Sequence, residues 1–232
     1  MSRLKSPHAG LPHLNGHLVC AVDVETTGFV AGYHELIQLA VLPLNEHFLP
    51  SKTAPPFYAN FRIERPETID PEAMRVHGID LKKLATDSIS QIDGVDYFDK
   101  WFDRLNLPIG AKDHKKIMPL WSNGSFDKSF IMEWLGYTTY SHYFHFHERD
   151  TQSLALEIND RFAYHGEPIP FPRVGLNALA SHFNIKNERA HDALSDCYTT
   201  CQVYKNLIQM FVPLNPGAFD PRKEIGVCDG EI

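Results

Sequence analysis

Apolar residues fall along this chain in runs of two different periods. Leu18-Val19-Cys20-Ala21-Val22-Asp23-Val24-Glu25 is a nearly unbroken apolar run that ends in two acids, and it reads as a buried strand over 18–25. Leu36 to Leu44 predicts a second strand. Phe57 to Ile63 alternates and predicts a third, after a Pro-rich connection at 50–56. Three strands in succession suggest an antiparallel meander. The period then changes. Pro71 opens a short helix through Val76, and Val95, Phe98, Phe102 and Leu105 share one face of a helix over roughly 92–105. Ile117-Met118-Pro119-Leu120-Trp121 is a short apolar strand, and Asp127 begins a helix with Phe130, Ile131, Trp134 and Leu135 inward. Tyr143 to His147 reads as a fifth strand ending near Asp150-Thr151, and 159–173 reads as a loop. Helices at about 175–183 and 191–211 close the pattern. Strands first in a row and then alternating with helices predict an α/β fold, a mixed sheet flanked by helices.

The 232 residues, 43% of them hydrophobic, suffice for one sizeable domain. The expected division is a flexible leader at 1–16, a domain at 17–212 and an irregular tail at 213–232. No window reaches the 18 or so consecutive apolar residues of a membrane span, and residues 1–8 lack a signal-peptide stretch, so no membrane contact and a cytoplasmic location are expected. Cys20, Cys197, Cys201 and Cys228 form no C-x-x-C pair, which argues against a zinc module or a disulfide framework. Cys197 and Cys201 are expected to pack as small apolar residues on one helix face. The formal charge of −7 argues against a protein that coats duplexes by neutralising phosphates. It leaves room for an enzyme that grips a few nucleotides through metal ions.

Three acidic segments carry the candidate chemistry. Strand periodicity points Asp23 and Glu25 to the same face. Two carboxylates side by side on a buried strand repel and are costly to desolvate, and a divalent cation makes such a pair tolerable; Mg²⁺ or Mn²⁺ suits hard oxygen ligands. An exposed strand end with solvated acids is the alternative. Asp127, in Asn123-Gly124-Ser125-Phe126-Asp127, lies where a strand turns into a helix, a place where an acid also serves the helix dipole. His191-Asp192-Ala193-Leu194-Ser195-Asp196 heads the last helix, with Asp196 inside it; the alternative there is a polar stripe with His191 as cap. Four carboxylates can hold two divalent ions, and a neutral histidine nearby can take a proton from water.

Taken together, D-V-E-T-T-G, N-G-S-F-D and H-D-A-L-S-D resemble the three motifs of the DEDDh exonucleases in the DnaQ-like superfamily, over about residues 18–210. Val76-His77-Gly78-Ile79, Asp150-Thr151 and Leu176-Asn177-Ala178-Leu179 add to the likeness. The resemblance implies a ribonuclease-H-like mixed five-stranded sheet and a standalone 3′–5′ exonuclease that releases 5′-mononucleotides. It implies that Asp23, Glu25, Asp127 and Asp196 bind two cations, Mg²⁺ or Mn²⁺, with His191 as general base. Thr26, Thr27 and Gly28 would lie beside the terminal nucleotide. Phe29 would pack on a base or belong to the core, and His77 would face the groove or be structural. The expected partners are 3′ ends of single-stranded or frayed DNA or RNA, with DNA slightly favoured. A homodimer or a replication or repair partner is the further expected contact, and the irregular segments would set substrate choice or oligomer contacts. A catalytically silent nucleic-acid-binding module is the alternative of another class. A rival zinc site is conceivable where His145 and His147 share a strand face beside His142, Glu148 and Asp150.

Overall fold

A computed structural model describes residues 12–107 and 115–210. From β1 (Leu18–Thr26) the chain runs through β2 (Leu36–Pro43) and β3 (Phe57–Asn60), then through helices α1 (Pro71–His77), α2 (Leu81–Thr86) and α3 (Gln91–Arg104). Next come β4 (Ile117–Trp121), α4 (Gly124–Leu135), α5 (Tyr137–Tyr143), the two-residue β5 (Arg149–Asp150), α6 (Thr151–Tyr164), α7 (Leu176–His182) and α8 (Ala193–Gln209). The sheet order is β3-β2-β1-β4-β5. The first three strands pair antiparallel, and β1–β4 and β4–β5 are parallel, so the expected mixed five-stranded sheet is present.

Strand parity divides the core. Leu18, Cys20, Val22 and Val24 of β1 face one layer, built from Phe98 and Trp101 of α3, Phe130 and Ile131 of α4, and Tyr140 and Tyr143 of α5. Val19 and Ala21 face the other, where Ala193, Cys197, Cys201 and Tyr204 of α8 lie on the sheet. Residues at spacings of three or four share one face of a helix, and the small Ala and Cys side chains let α8 approach closely. The two cysteines are fully buried, as expected. The same parity puts Asp23 and Glu25 on the α8 side.

Several elements differ from expectation. Of the segment expected as a fifth strand over 143–147, Tyr143 ends α5 and Phe144 makes a single parallel bridge to Ile117, while β5 itself begins only at Arg149. Tyr140, Tyr143 and Phe144 follow helical spacing into the core, and Tyr140 stacks on Phe144 at 4.8 Å. The expected loop at 159–173 begins later, because α6 runs to Tyr164. Asp150 caps that helix by accepting from Ser153 N–H at 2.9 Å, and Ala155 and Ile158 are its buried face. A helix absent from the sequence reading, α2, is capped in the same way by Asp80. The expected third strand stops at Asn60, and α4 starts at Gly124, so Asp127 lies in its first turn. The last helix starts at Ala193 with Asp192 as cap, so His191 precedes it. Leu14, assigned to the leader, is buried beside Val19. The expected tail and the leader's first residues lie outside the described residues.

Gly94 sits inside α3 where it crosses β3. A Cβ there would come within 2.3 Å of the Phe61 ring, and Phe61 is itself fully buried. Gly94→Ala is therefore expected to destabilise the protein by about 1–3 kcal/mol through overpacking, despite the better helix propensity of alanine. Urea denaturation measures this; an unchanged or raised midpoint would show that the α3–sheet contact can give way.

Candidate active site

Asp23 and Glu25 project from β1 opposite Ala40 and Gln38 of β2. Asp127 is drawn to the same strand by a main-chain contact: Val24 N–H donates to its Oδ1 at 3.0 Å. The turn that delivers Asp127 passes through Asn123 at φ +76°, a left-handed conformation that asparagine tolerates better than most residues. Asp150 fixes the turn by accepting from Asn123 N–H at 2.9 Å and Gly124 N–H at 2.8 Å. One carboxylate thus caps α6 and ties down the start of α4.

Asp196 arrives from the first turn of α8. Its Oδ2 accepts from the His191 N–H at 3.1 Å and its Oδ1 from Asn187 Nδ2 at 2.6 Å. His191 has φ +67°. The base of the helix is anchored to the sheet by polar contacts. Asp192 Oδ1 accepts from Ser195 N–H, Tyr58 donates its hydroxyl to Asp192 Oδ2 at 2.9 Å, and Gln38 accepts from Ala193 N–H at 2.7 Å.

These side chains meet in a cleft of about 290 Å³ lined by Asp23, Glu25, Thr26, Phe29, His77, Asp127, His191 and Asp196. One donor atom each from Glu25, His191 and Asp196 falls within a 4.8 Å span. Phe29 is 59% exposed at the rim, so it is not core. His77 lines the cleft and is half-buried; its Nδ1 accepts from Ile79 N–H, and burial holds its pKa below the usual histidine range. Thr27 and Gly28, expected beside a nucleotide, are buried and are not among the residues that line the cleft. Thr27 is fully buried, and its Oγ1 accepts from Glu35 N–H at 2.8 Å. Gly28 lies so close to the His34 ring that a Cβ would approach it to 2.1 Å. Thr26 lines the cleft with its hydroxyl donated to Gly28 O.

Residues that the sequence reading did not single out also line the cleft, among them Gln152 and Ser122. Gln152 had a usable signal, since Asp150 is an N-cap residue type just ahead of the helical spacing Leu154, Ala155 and Ile158.

The family model described as exonuclease (RNase T) matches residues 20–204. The chain belongs to this exonuclease family. It is 24% identical over 186 residues to the 3′–5′ DNA exonuclease Cap18 of Escherichia coli, covering 80% of this chain and 88% of that protein. Ribonuclease T of Haemophilus influenzae is 28% identical over 123 residues, 50% of each protein. Escherichia coli exonuclease I in complex with a dA16 oligonucleotide shares the fold, with a TM-score of 0.63 at 18% identity, over 84% of this chain and 41% of exonuclease I. The chain thus spans about two-fifths of exonuclease I. The expected exonuclease family and the expected ribonuclease-H-like sheet both hold. No helix among the described residues is long and apolar enough to cross a membrane.

Among the described residues the rival histidines form no group of donor atoms close enough to hold a metal. His145 and His147 lie on no strand, and His145 Nδ1 accepts from His147 N–H at 3.0 Å while His17 Nδ1 accepts from Lys116 N–H at 2.9 Å. A neutral ring that accepts at Nδ1 carries its proton on Nε2 and has no lone pair left for a cation. Glu148 is engaged with Lys128 at 2.9 Å, and Asp150 is the cap described above.

The exonuclease-family acids are a better fit for divalent cations. Glu25 is 9% exposed, Asp196 7% and Asp127 4%. Burial is the largest cause that raises all four carboxyls, and the neighbouring acids add to it at each. Glu25 and Asp127 are each pushed up to about 8, and Asp23 lies well above the usual carboxylate range. For Asp127 the Val24 N–H works against burial, and for Asp196 the Asn187 and His191 donors do so. Among the described residues the cleft supplies no lysine or arginine to balance these acids. Hard oxygen donors with uncompensated charge suit Mg²⁺ or Mn²⁺.

A carboxyl whose folded value lies above its unfolded one binds its proton better in the fold, so stability falls as pH rises between the two values. From this site the metal-free protein is therefore expected to lose thermal stability between about pH 4 and pH 8. A cation competes with protons for the same oxygens, so Mn²⁺ is expected to raise the Tm more at pH 8 than at pH 5. Thermal melts with and without Mn²⁺ at the two pH values check this. An equal or smaller shift at pH 8 would count against ion binding here.

Proposed function

We propose that this protein is a 3′–5′ exonuclease that removes 5′-mononucleotides from single-stranded or frayed ends, with DNA favoured over RNA. The observation that carries the reading is the convergence of four carboxylates and one imidazole on a single cleft, from a strand, two helix first turns and a loop. Asp23, Glu25, Asp127 and Asp196 would hold two divalent cations, Mg²⁺ or Mn²⁺. When bound, such ions acidify a water and neutralise charge developing on a phosphate.

The chain's own residues supply the rest. His191, on the loop beside Asp196, takes the proton of the attacking water at a ring nitrogen. Water oxygen bonds to phosphorus, the bond from phosphorus to the 3′-oxygen of the preceding nucleotide breaks, and that oxygen leaves with a proton. The products are a 5′-mononucleotide and a strand shortened by one. Phe29, exposed at the rim, offers a ring face to a base, since stacking on aromatics is sequence-tolerant. His77 and Thr26 flank the place where the terminal sugar would lie. The similarity to Cap18, a DNA exonuclease by name, supports DNA as the substrate. A silent binding module would be favoured by the loss of a carboxylate or of the histidine, and this chain retains all five.

Purified protein is expected to shorten a 5′-labelled single-stranded oligonucleotide from its 3′ end with Mg²⁺ or Mn²⁺ and to stop in chelator. Asp23→Ala and Asp196→Ala should abolish cleavage with the circular dichroism unchanged. His191→Ala should lower the rate about 10²–10⁴-fold, the usual contribution of a positioned base. Matched DNA and RNA oligomers digested side by side decide the sugar preference. Full activity in either aspartate variant, or binding without cleavage at saturating Mn²⁺, would overturn the proposal.

A further inference from the structure

The loop between α7 and α8 is folded around one carboxylate. Asn187 grips Asp196 Oδ1 at 2.6 Å, and the His191 N–H holds Oδ2 at 3.1 Å. The other end of the Asn187 amide is fixed as well, since Ser195 Oγ donates to its Oδ1 at 3.0 Å. A carboxylate only accepts, so the NH₂ group is the end that must face Asp196, and the serine hydroxyl matches the end that remains. The amide thus has one orientation and little freedom to leave it.

We propose that Asn187 is a positioning residue that aims the Asp196 carboxylate into the cleft and, through it, sets the place of the His191 ring. This rests on reading Asp196 as a cation ligand. A carboxylate oxygen has two acceptor directions; a donor held at one leaves the other for an ion. His191 sits at φ +67° outside α8, and its main chain is tied to Asp196 directly. Loss of the Asn187 grip frees the carboxylate to rotate and leaves the loop attached to it through the His191 N–H alone. Partners that orient a metal ligand from behind typically account for 10–100-fold in metal affinity or activity.

The test is a calorimetric titration of the full chain with Mn²⁺ in the absence of substrate, paired with kinetics on a single-stranded DNA oligonucleotide. Asn187→Ala and Asn187→Leu are expected to weaken Mn²⁺ binding about 10–100-fold. They should lower kcat while the KM for the oligonucleotide stays near that of the unchanged protein. Ser195→Ala, which releases only the far end of the amide, should give a smaller loss in the same direction, and it carries the test if the Asn187 variants fail to fold. Melting in chelator monitors folding separately; a merely structural role would lower the Tm and leave the Mn²⁺ affinity of the folded protein unchanged. Folded Asn187 variants that bind Mn²⁺ as tightly as the unchanged protein would overturn the proposal. Asp196→Ala run alongside separates the two readings. If it loses Mn²⁺ binding and cleavage while Asn187→Ala loses neither, only the role of Asn187 falls. If it keeps both, the ligand reading falls too.

Discussion

Mutual repulsion among Asp23, Glu25, Asp127 and Asp196 is the constraint around which the rest of this molecule is arranged. Each is disfavoured as an anion by burial, and acidic neighbours add to the cost at each. A fold that only minimised its own free energy would scatter such groups into water. Here a strand, the first turns of two helices and the sheet beneath them hold the acids together. The stored repulsion is what makes the cleft receptive to positive charge.

Hydrogen bonds hold two of the four acids, Asp127 and Asp196, in place. The Val24 N–H secures Asp127, and the Asn187 amide with the His191 N–H secures Asp196. Behind these lie supports that never touch the cleft's centre. Asp150 pins the turn before α4, and Gln38, Tyr58 and Asp192 seat α8 on the sheet. Asp192 is itself an acid near the cluster, and its two oxygens are occupied by the Ser195 N–H and the Tyr58 hydroxyl. Its role is in the scaffold, although its charge still raises Asp23 and Glu25. Two acids of the cleft are thus held by main chain and a neutral side chain, and among the described residues no lysine or arginine lines the cleft.

Much of this was legible beforehand because it depends on local rules. The run from Leu18 to Glu25 is a strand because Val19, Val22 and Val24 favour extended backbone in a short, nearly unbroken apolar run, and its period of two placed Asp23 and Glu25 on one side. The helices at 92–105 and 191–211 were readable within a few residues from their apolar spacing. Failures came where a short apolar stretch fits either period. Tyr143-Phe144 looked like a strand, and it is a helix end because Tyr140 and Tyr143 bury against α3. The start of α6 was missed because its decisive signal is the cap at Asp150, whose other oxygen serves a turn 27 residues earlier.

The sequence by itself determined the family, the strand that carries the first acid pair, and the five residues most worth testing, because each motif is short and its chemistry is contained in residue type and spacing. Tertiary structure alone decided which neighbours serve the cleft and which serve the scaffold. Thr26 and Thr27 are adjacent and chemically alike, yet one lines the cleft while the other is fully buried on Glu35. Asn187 and Gln38 gained their roles from contacts 9 and 155 residues away along the chain. Such contacts are set by how helices seat on a sheet, which no local pattern records.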